Sequence, residues 1–240
     1  MKSLMNVTVL MVALLWPLHS HAANEQQAPA KEPAGARPLP MALVPYVPPK
    51  PMRPTPKIRI SQGGTRGCGG FPLVSLLAPE HVGRTTQAQP QLYWHTSVMS
   101  QKPAVVTLSH HGAVEPLLEW HLPAPIDPGI HVIDMAQHGI HLQVGKTYEW
   151  SLRIHCGAAG SSAGDLVVKS YIERVTADEA TRLMAQRDEP LTVAHAHASS
   201  GIWYDALTTL HVAWANNPAD HTLQSAWSGL LEQVALTQPD

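Results

Sequence analysis

Apolar and polar positions alternate through the middle of the chain, and the rhythm changes near the carboxyl end. The clearest two-residue period is KTYEWSLRIHC, at 146–156. Tyr148, Trp150, Leu152, Ile154 and Cys156 share one face, while Thr147, Glu149, Ser151, Arg153 and His155 take the other. Such alternation predicts a half-buried antiparallel strand with its cysteine pointing inward. Shorter segments repeat it: PLVSLL (72–77), QLYWHTSV (91–98), AVVTLS (104–109), PLLEWHL (116–122), GIHVIDM (129–135) and DLVVKSYIERV (165–175). Turn formers separate them, notably Lys102-Pro103, His111-Gly112 and Asp127-Pro128-Gly129. Seven short strands at this spacing predict an antiparallel β-sandwich over 58–175.

After Val175 the period becomes 3.6. Thr176-Ala177-Asp178-Glu179 reads as a capping box, followed by Ala180, Leu183 and Met184, with Pro190 as the stop. Residues 191–199 read as a short connection to Gly201. Trp203, Ala206, Leu207, Leu210, Ala213 and Trp214 then fall on one helical face, which Asn216-Asn217-Pro218 ends. From about Asp220, Leu223, Ala226, Trp227, Leu230, Leu231 and Val234 repeat the offsets. Two stripes joined by a short turn predict a helical hairpin leaning on the sandwich, within a helical region at 176–240. The expected fold class is α+β.

Two local patterns refine this. Leu142 to Tyr148 is similar to the L-x-x-G-x-x-Y corner of immunoglobulin-like sandwiches, where the tyrosine hydroxyl bonds back to the chain. Gly201, Tyr204, Ala206-Leu207, Pro218 and Trp227 stand in the order seen in tetratricopeptide repeats, although the chain holds only about one and a half such units.

The amino-terminal quarter follows different rules. Lys2, the apolar run at Leu10 to Leu15 and the small residues Ser20-His21-Ala22 read as a secretory signal over 1–22. The run is too short to span a bilayer, so no transmembrane segment is expected after cleavage. Residues 23–57 are proline-dense and read as an extended tether, since proline fixes φ and removes backbone donors. Export, to the periplasm or beyond, changes how the two cysteines are read. An oxidising compartment favours joining Cys68 to Cys156, a bond that closes a long loop and contributes about 4 kcal/mol. Charge is sparse at 14%, yet unevenly placed. Seven basic and two acidic residues lie between Asn24 and Arg66, ahead of an acidic body. Such an arm can touch anionic lipid or cell-wall polymer, or lie across the body itself. Nucleic acid is not an expected partner outside the cytoplasm.

Candidate chemistry is weak. Gly160-Ser161-Ser162-Ala163-Gly164 satisfies G-x-S-x-G, but strands on both sides make it a hairpin loop rather than the strand-turn-helix elbow that a nucleophile needs. Glu115 and Glu119 fall on one predicted strand and could point the same way, as a glycosidase pair would, or serve as edge-strand charges. Fifteen histidines invite a metal reading, in which His110, His111, His131 and His141 are the candidates, with His138 beside His141. His195 and His197 point apart on a helix and converge only if their segment is extended.

Several separated pieces carry a family resemblance: Gly64 to Cys68, Leu76 to Glu80, Thr85-Thr86, Pro90 to Trp94, Gly145 to Trp150, Ile172 to Val175 and Gly201 to Leu207. Together they resemble domain-of-unknown-function family 928, over roughly Gly64 to Leu236. The resemblance implies an exported bacterial protein and supplies no catalytic residue or cofactor. The expectation is a non-enzymatic periplasmic or cell-envelope interaction module, with Trp203, Tyr204, Trp214 and Trp227 as partner anchors. The alternative is a histidine-rich metal-binding protein or an envelope hydrolase.

Overall fold

The computed structural model describes residues 44–50, 74–156 and 164–234. The expected signal segment, Cys68 and most of the Gly160 to Gly164 loop lie outside these. Eight strands and then four helices follow in order among the described residues. β1 (Val74–Leu76), β3 (Gln91–Thr96) and β6 (Gly129–Asp134) form a three-stranded antiparallel sheet in the order β1-β3-β6. A five-stranded sheet runs β2 (Gly83–Thr85), β8 (Leu166–Arg174), β7 (Thr147–Ile154), β4 (Ala104–His110), β5 (Leu118–Leu122). Its pairs are antiparallel except β2 with β8, which is parallel.

Register explains why β7 sits inside the larger sheet. Trp150 lies opposite Leu108 and Ser170, and Leu152 opposite Val106 and Val168, so the alternation predicted from sequence stacks into buried rows that are apolar apart from Ser170. Tyr148, Trp150, Leu152 and Ile154 are all buried, whereas Arg153 is exposed. The strand β2 escaped notice because Gly-Arg-Thr is three residues long and carries no alternation. Glu115 lies ahead of β5 rather than on it with Glu119, so the two carboxylates do not share a strand face.

The helical region departs from expectation at two points. α1 (Glu179–Met184) is capped by Asp178, whose Oδ1 accepts the Thr181 amide at 2.7 Å, rather than by Thr176. Pro190 does not merely end α1. It occupies the first turn of α2 (Pro190–Ser199), where its missing N–H costs nothing. Residues 191–199 are therefore helix, not connection. Their Ala-His-Ala-His-Ala run lacks large apolar residues at helical spacing, which concealed the helix; the same small residues let it lie close against α3 (Trp203–Asn216). α4 (His221–Glu232) completes the predicted hairpin, capped by Asp220 on the amides of Thr222 and Leu223. The result is a mixed α+β architecture whose two sheets and the helices α2, α3 and α4 feed one apolar cluster.

Part of the proline-dense segment takes the last of the options open to it and lies on the body. Residues 44–50 lie across the helices, with Val44 and Tyr46 buried. Val47 N–H donates to Ala198 O at 3.0 Å. A proline-rich segment can dock this way because few of its amides need partners.

One close approach fixes where α3 meets the larger sheet. A Cβ placed on Gly83 would lie 2.6 Å from Tyr204 Cε2. The Tyr204 ring is fully buried and cannot retreat. Gly83→Ala is expected to lower unfolding free energy by about 2 kcal/mol, within the range for overpacked cores. Urea denaturation checks this, and an unchanged midpoint would contradict the contact.

Candidate functional site

A dense set of hydrogen bonds sits where α2 turns into α3. Gly201 has φ +73°, a left-handed conformation that side chains rarely adopt. With it, Gly201 N–H donates to Ala198 O at 3.0 Å and Ile202 N–H to His197 O at 2.8 Å. These bonds close the helix end as a Schellman motif. The reversal aims the first turn of α3 at the β-layers, and three successive side chains reach different strands or their flanks.

Trp203 Nε1–H donates to the carbonyl of Leu77, just past β1, at 3.0 Å. Tyr204 Oη accepts from Trp150 Nε1–H on β7 at 3.0 Å and donates to Tyr171 O on β8 at 3.2 Å. Asp205 accepts from the hydroxyls of Thr85 and Thr86 and, at 3.0 Å, from the Thr86 amide. The carboxylate is nearly fully buried, and its place in the first turn of α3 also sets it at the positive end of the helix. Arg174 secures the same corner from behind, donating to Leu142 O at 2.8 Å and to Thr86 O at 3.3 Å. This cluster is an interlock between layers.

Three of the four expected partner anchors are therefore core. Trp203, Tyr204 and Trp227 are fully buried, because each fills the seam between helices and sheet; Trp214 is half-buried. Tyr148 Oη accepts the Gln143 amide at 2.8 Å, so the hydroxyl does bond back to the chain entering β7.

Among the described residues the histidines are dispersed, and several lie against aromatic rings. His110 stacks on Tyr148 at 4.7 Å, His111 meets Tyr171 edge-on at 5.4 Å, and His131 stacks on Trp94 at 4.2 Å. His131 Nε2–H also donates to Asp127 O, and His141 Nδ1–H to Gly139 O. His138 leans on Trp120. Among the described residues no three His, Cys, Asp or Glu side chains gather as metal ligands would. His195 and His197 lie on α2, so the helical geometry that separates them applies.

Two open grooves lie beside the helices among the described residues. One, of about 560 Å³, runs between α1 and α2 past Thr181, Met184, Leu191 and His195. Its polar groups serve the helices: Asp178 caps α1, Thr181 Oγ1 pairs with Ser200 Oγ at 2.7 Å, and Ser199 Oγ–H donates to Ala196 O. The hydrogen bonds from Thr181 hold the Asp178 carboxyl below its usual range. The other groove, of about 390 Å³, lies between the smaller sheet and α3, bordered by Gln91, Asp134 and His211.

Residues 61–239 match Domain of Unknown Function DUF928. The chain belongs to this family. No curated protein shows a significant match. Within the DUF928 match, Leu77, Thr85-Thr86, Trp150 and Trp203-Tyr204-Asp205 come from separate stretches of sequence and converge on one corner. Sequence reasoning missed Asp205 as a partner of the two threonines. The available signal was a carboxylate in the first turn of a helix amid large apolar neighbours, a position that burial would force into pairing.

Two outcomes follow from this geometry. Asp205→Ala leaves the Thr86 amide and two hydroxyls without an acceptor and should cost about 3 kcal/mol, read as a lowered urea midpoint. Loss below about 0.5 kcal/mol would contradict the interlock. Burial also pushes His81, His197 and His211 below the ordinary value of 6.5, with Arg84 reinforcing the shift at His81 and Asp205 opposing it at His197. A histidine kept neutral by the fold leaves stability intact above pH 6.5. Stability is lost as pH falls beneath that value, because the unfolded chain then binds protons that the folded chain resists. The Tm should fall between about pH 7.5 and pH 5.5, and His197→Leu should flatten that fall. An identical pH dependence in the variant would contradict the assignment to His197.

Proposed function

We propose that this DUF928 chain is an exported, non-enzymatic interaction module of the bacterial cell envelope. The observation that carries the proposal is the interlock. It supports the reading because the aromatic and polar side chains at the start of α3, the most conspicuous candidates for chemistry, are used in holding helices to sheets. The arrangement at 1–22, with Lys2, the Leu10 to Leu15 run and Ser20-His21-Ala22, supports export and cleavage. Among the described residues no helix is long and apolar enough to cross a membrane.

Finer features fit this reading. An immunoglobulin-like arrangement of the two sheets is supported by the Tyr148 bond to Gln143 and by the inward alternation on β7. A tetratricopeptide-like origin of the α3–α4 hairpin is supported by the order Gly201, Tyr204, Ala206-Leu207, Pro218 and Trp227. A Cys68–Cys156 bridge is supported by the burial of Cys156 two residues past β7 and by its fixed backbone, whose amide donates to Asp165 Oδ1 at 3.1 Å.

The test uses the full chain expressed in bacterial cells. The recovered protein should begin after Ala22 and show no alkylated cysteine without reductant by intact mass. Crosslinking in intact cells should join it to a specific envelope protein, and chelation should leave its Tm unchanged. Two alkylated cysteines would refute the bridge. Strong stabilisation by stoichiometric zinc or copper would favour the metal-binding alternative instead.

A further inference from the structure

The segment at 44–50 is held as a ligand is held. Gln233, at the end of α4, grips its backbone from both sides: Oε1 accepts the Tyr46 amide at 2.7 Å, and Nε2–H donates to Val44 O at 2.9 Å. Ala198 O accepts the Val47 amide at 3.0 Å. Pro45, Pro48 and Pro49 have no amide to satisfy. Backbone bonds of this type recognise an extended peptide irrespective of side chain.

Side chains add selectivity. Val44 and Tyr46 point into a groove formed by His81, Ala198, Gly201, Trp203 and Gln233, separate from the two described above, and are 1% and 7% exposed, while Val47 points out at 53%. The Tyr46 ring stacks on His81 at 5.7 Å and meets Trp203 edge-on at 5.0 Å, and its hydroxyl lies 2.7 Å from His81 Nε2. Gly201 admits the strap: a Cβ there would lie 3.0 Å from Val47 O and 3.2 Å from Pro49 Cδ. Groove and occupant also fall on opposite sides of the family boundary. His81, Ala198, Gly201, Trp203 and Gln233 fall inside the family match at 61–239, whereas residues 44–50 precede it.

From this we infer that the groove of the family domain is a binding site for an extended, proline-flanked peptide bearing an aliphatic residue two places before a tyrosine, and that residues 44–50 occupy it in cis. The inference deepens the interaction-module reading and rests on it, giving the partner's chemical class. A tethered occupant has a high effective concentration, so a free peptide competes poorly until the cis segment is weakened.

The experiment measures a fluorescent peptide of sequence VPYVPPK against the native full chain and its Tyr46→Ala variant. The variant should bind at micromolar concentration, at least about tenfold more tightly than the native chain. A control peptide with Ala in place of its tyrosine should not bind. Peptide binding should also raise the variant's Tm. If the variant does not fold alone, peptide supplied during refolding should restore soluble, folded protein. A folded variant that ignores the peptide up to about 1 mM, equal binding to both chains, or failed rescue would each overturn the assignment. Those results would leave the crosslinking test untouched, so the two readings fail separately.

Discussion

Three consecutive residues at the start of one helix must each find a partner on a different part of the β-layers. Trp203 reaches the segment after β1, Tyr204 reaches β7 and β8, and Asp205 reaches the end of β2 and the residue beyond. A helix turns about 100° per residue, so the three directions diverge and fix all degrees of freedom of the helix at once. Apolar burial alone would let α3 slide along the sheet. Directional bonds to a buried indole, a main-chain carbonyl and two threonines do not. Other special features of the corner follow from this constraint. Gly201 provides the reversal, Gly83 leaves room for the tyrosine ring, and Arg174 stiffens the loop behind Thr86.

The histidines take on a different meaning within that frame. His110, His111, His131 and His138 each lie against one aromatic ring rather than around a common point. Imidazole here acts as a flat, moderately polar surface that covers an aromatic edge or face. His81, His197 and His211, which burial keeps neutral, sit close to the helix layer. Protonating any of the three in mild acid therefore works against the packing of the helices.

Strand periodicity was legible wherever a strand had length. β3, β4, β6, β7 and β8 each carried enough alternation to be located, and β7 even disclosed which face is buried. The three-residue β2 had no period to read, although its glycine and threonine prove essential to the interlock. α3 and α4 announced themselves through large apolar residues three and four apart. α2 did not, because alanine and histidine give a helix little amphipathic contrast. The aromatic residues near the carboxyl end were recognisable as important, yet sequence could not tell an outward anchor from an inward one. Burial depends on what the rest of the chain brings opposite. For Trp203 and Tyr204 the partners lie at Leu77, Trp150 and Tyr171, separations that no local pattern reports. The same holds for Tyr46, whose surroundings turn a proline-rich stretch from tether into docked strap.

Native-state hydrogen exchange along a denaturant series tests the central claim most directly. If the interlock makes helices and sheets one cooperative unit, the slowest amides of α3 and of β7 share one opening free energy and one denaturant slope. Amides of α3 that open at markedly lower free energy, while β7 stays protected, would show that the helical layer is held by apolar contact alone and that the interlock is not what unites the fold.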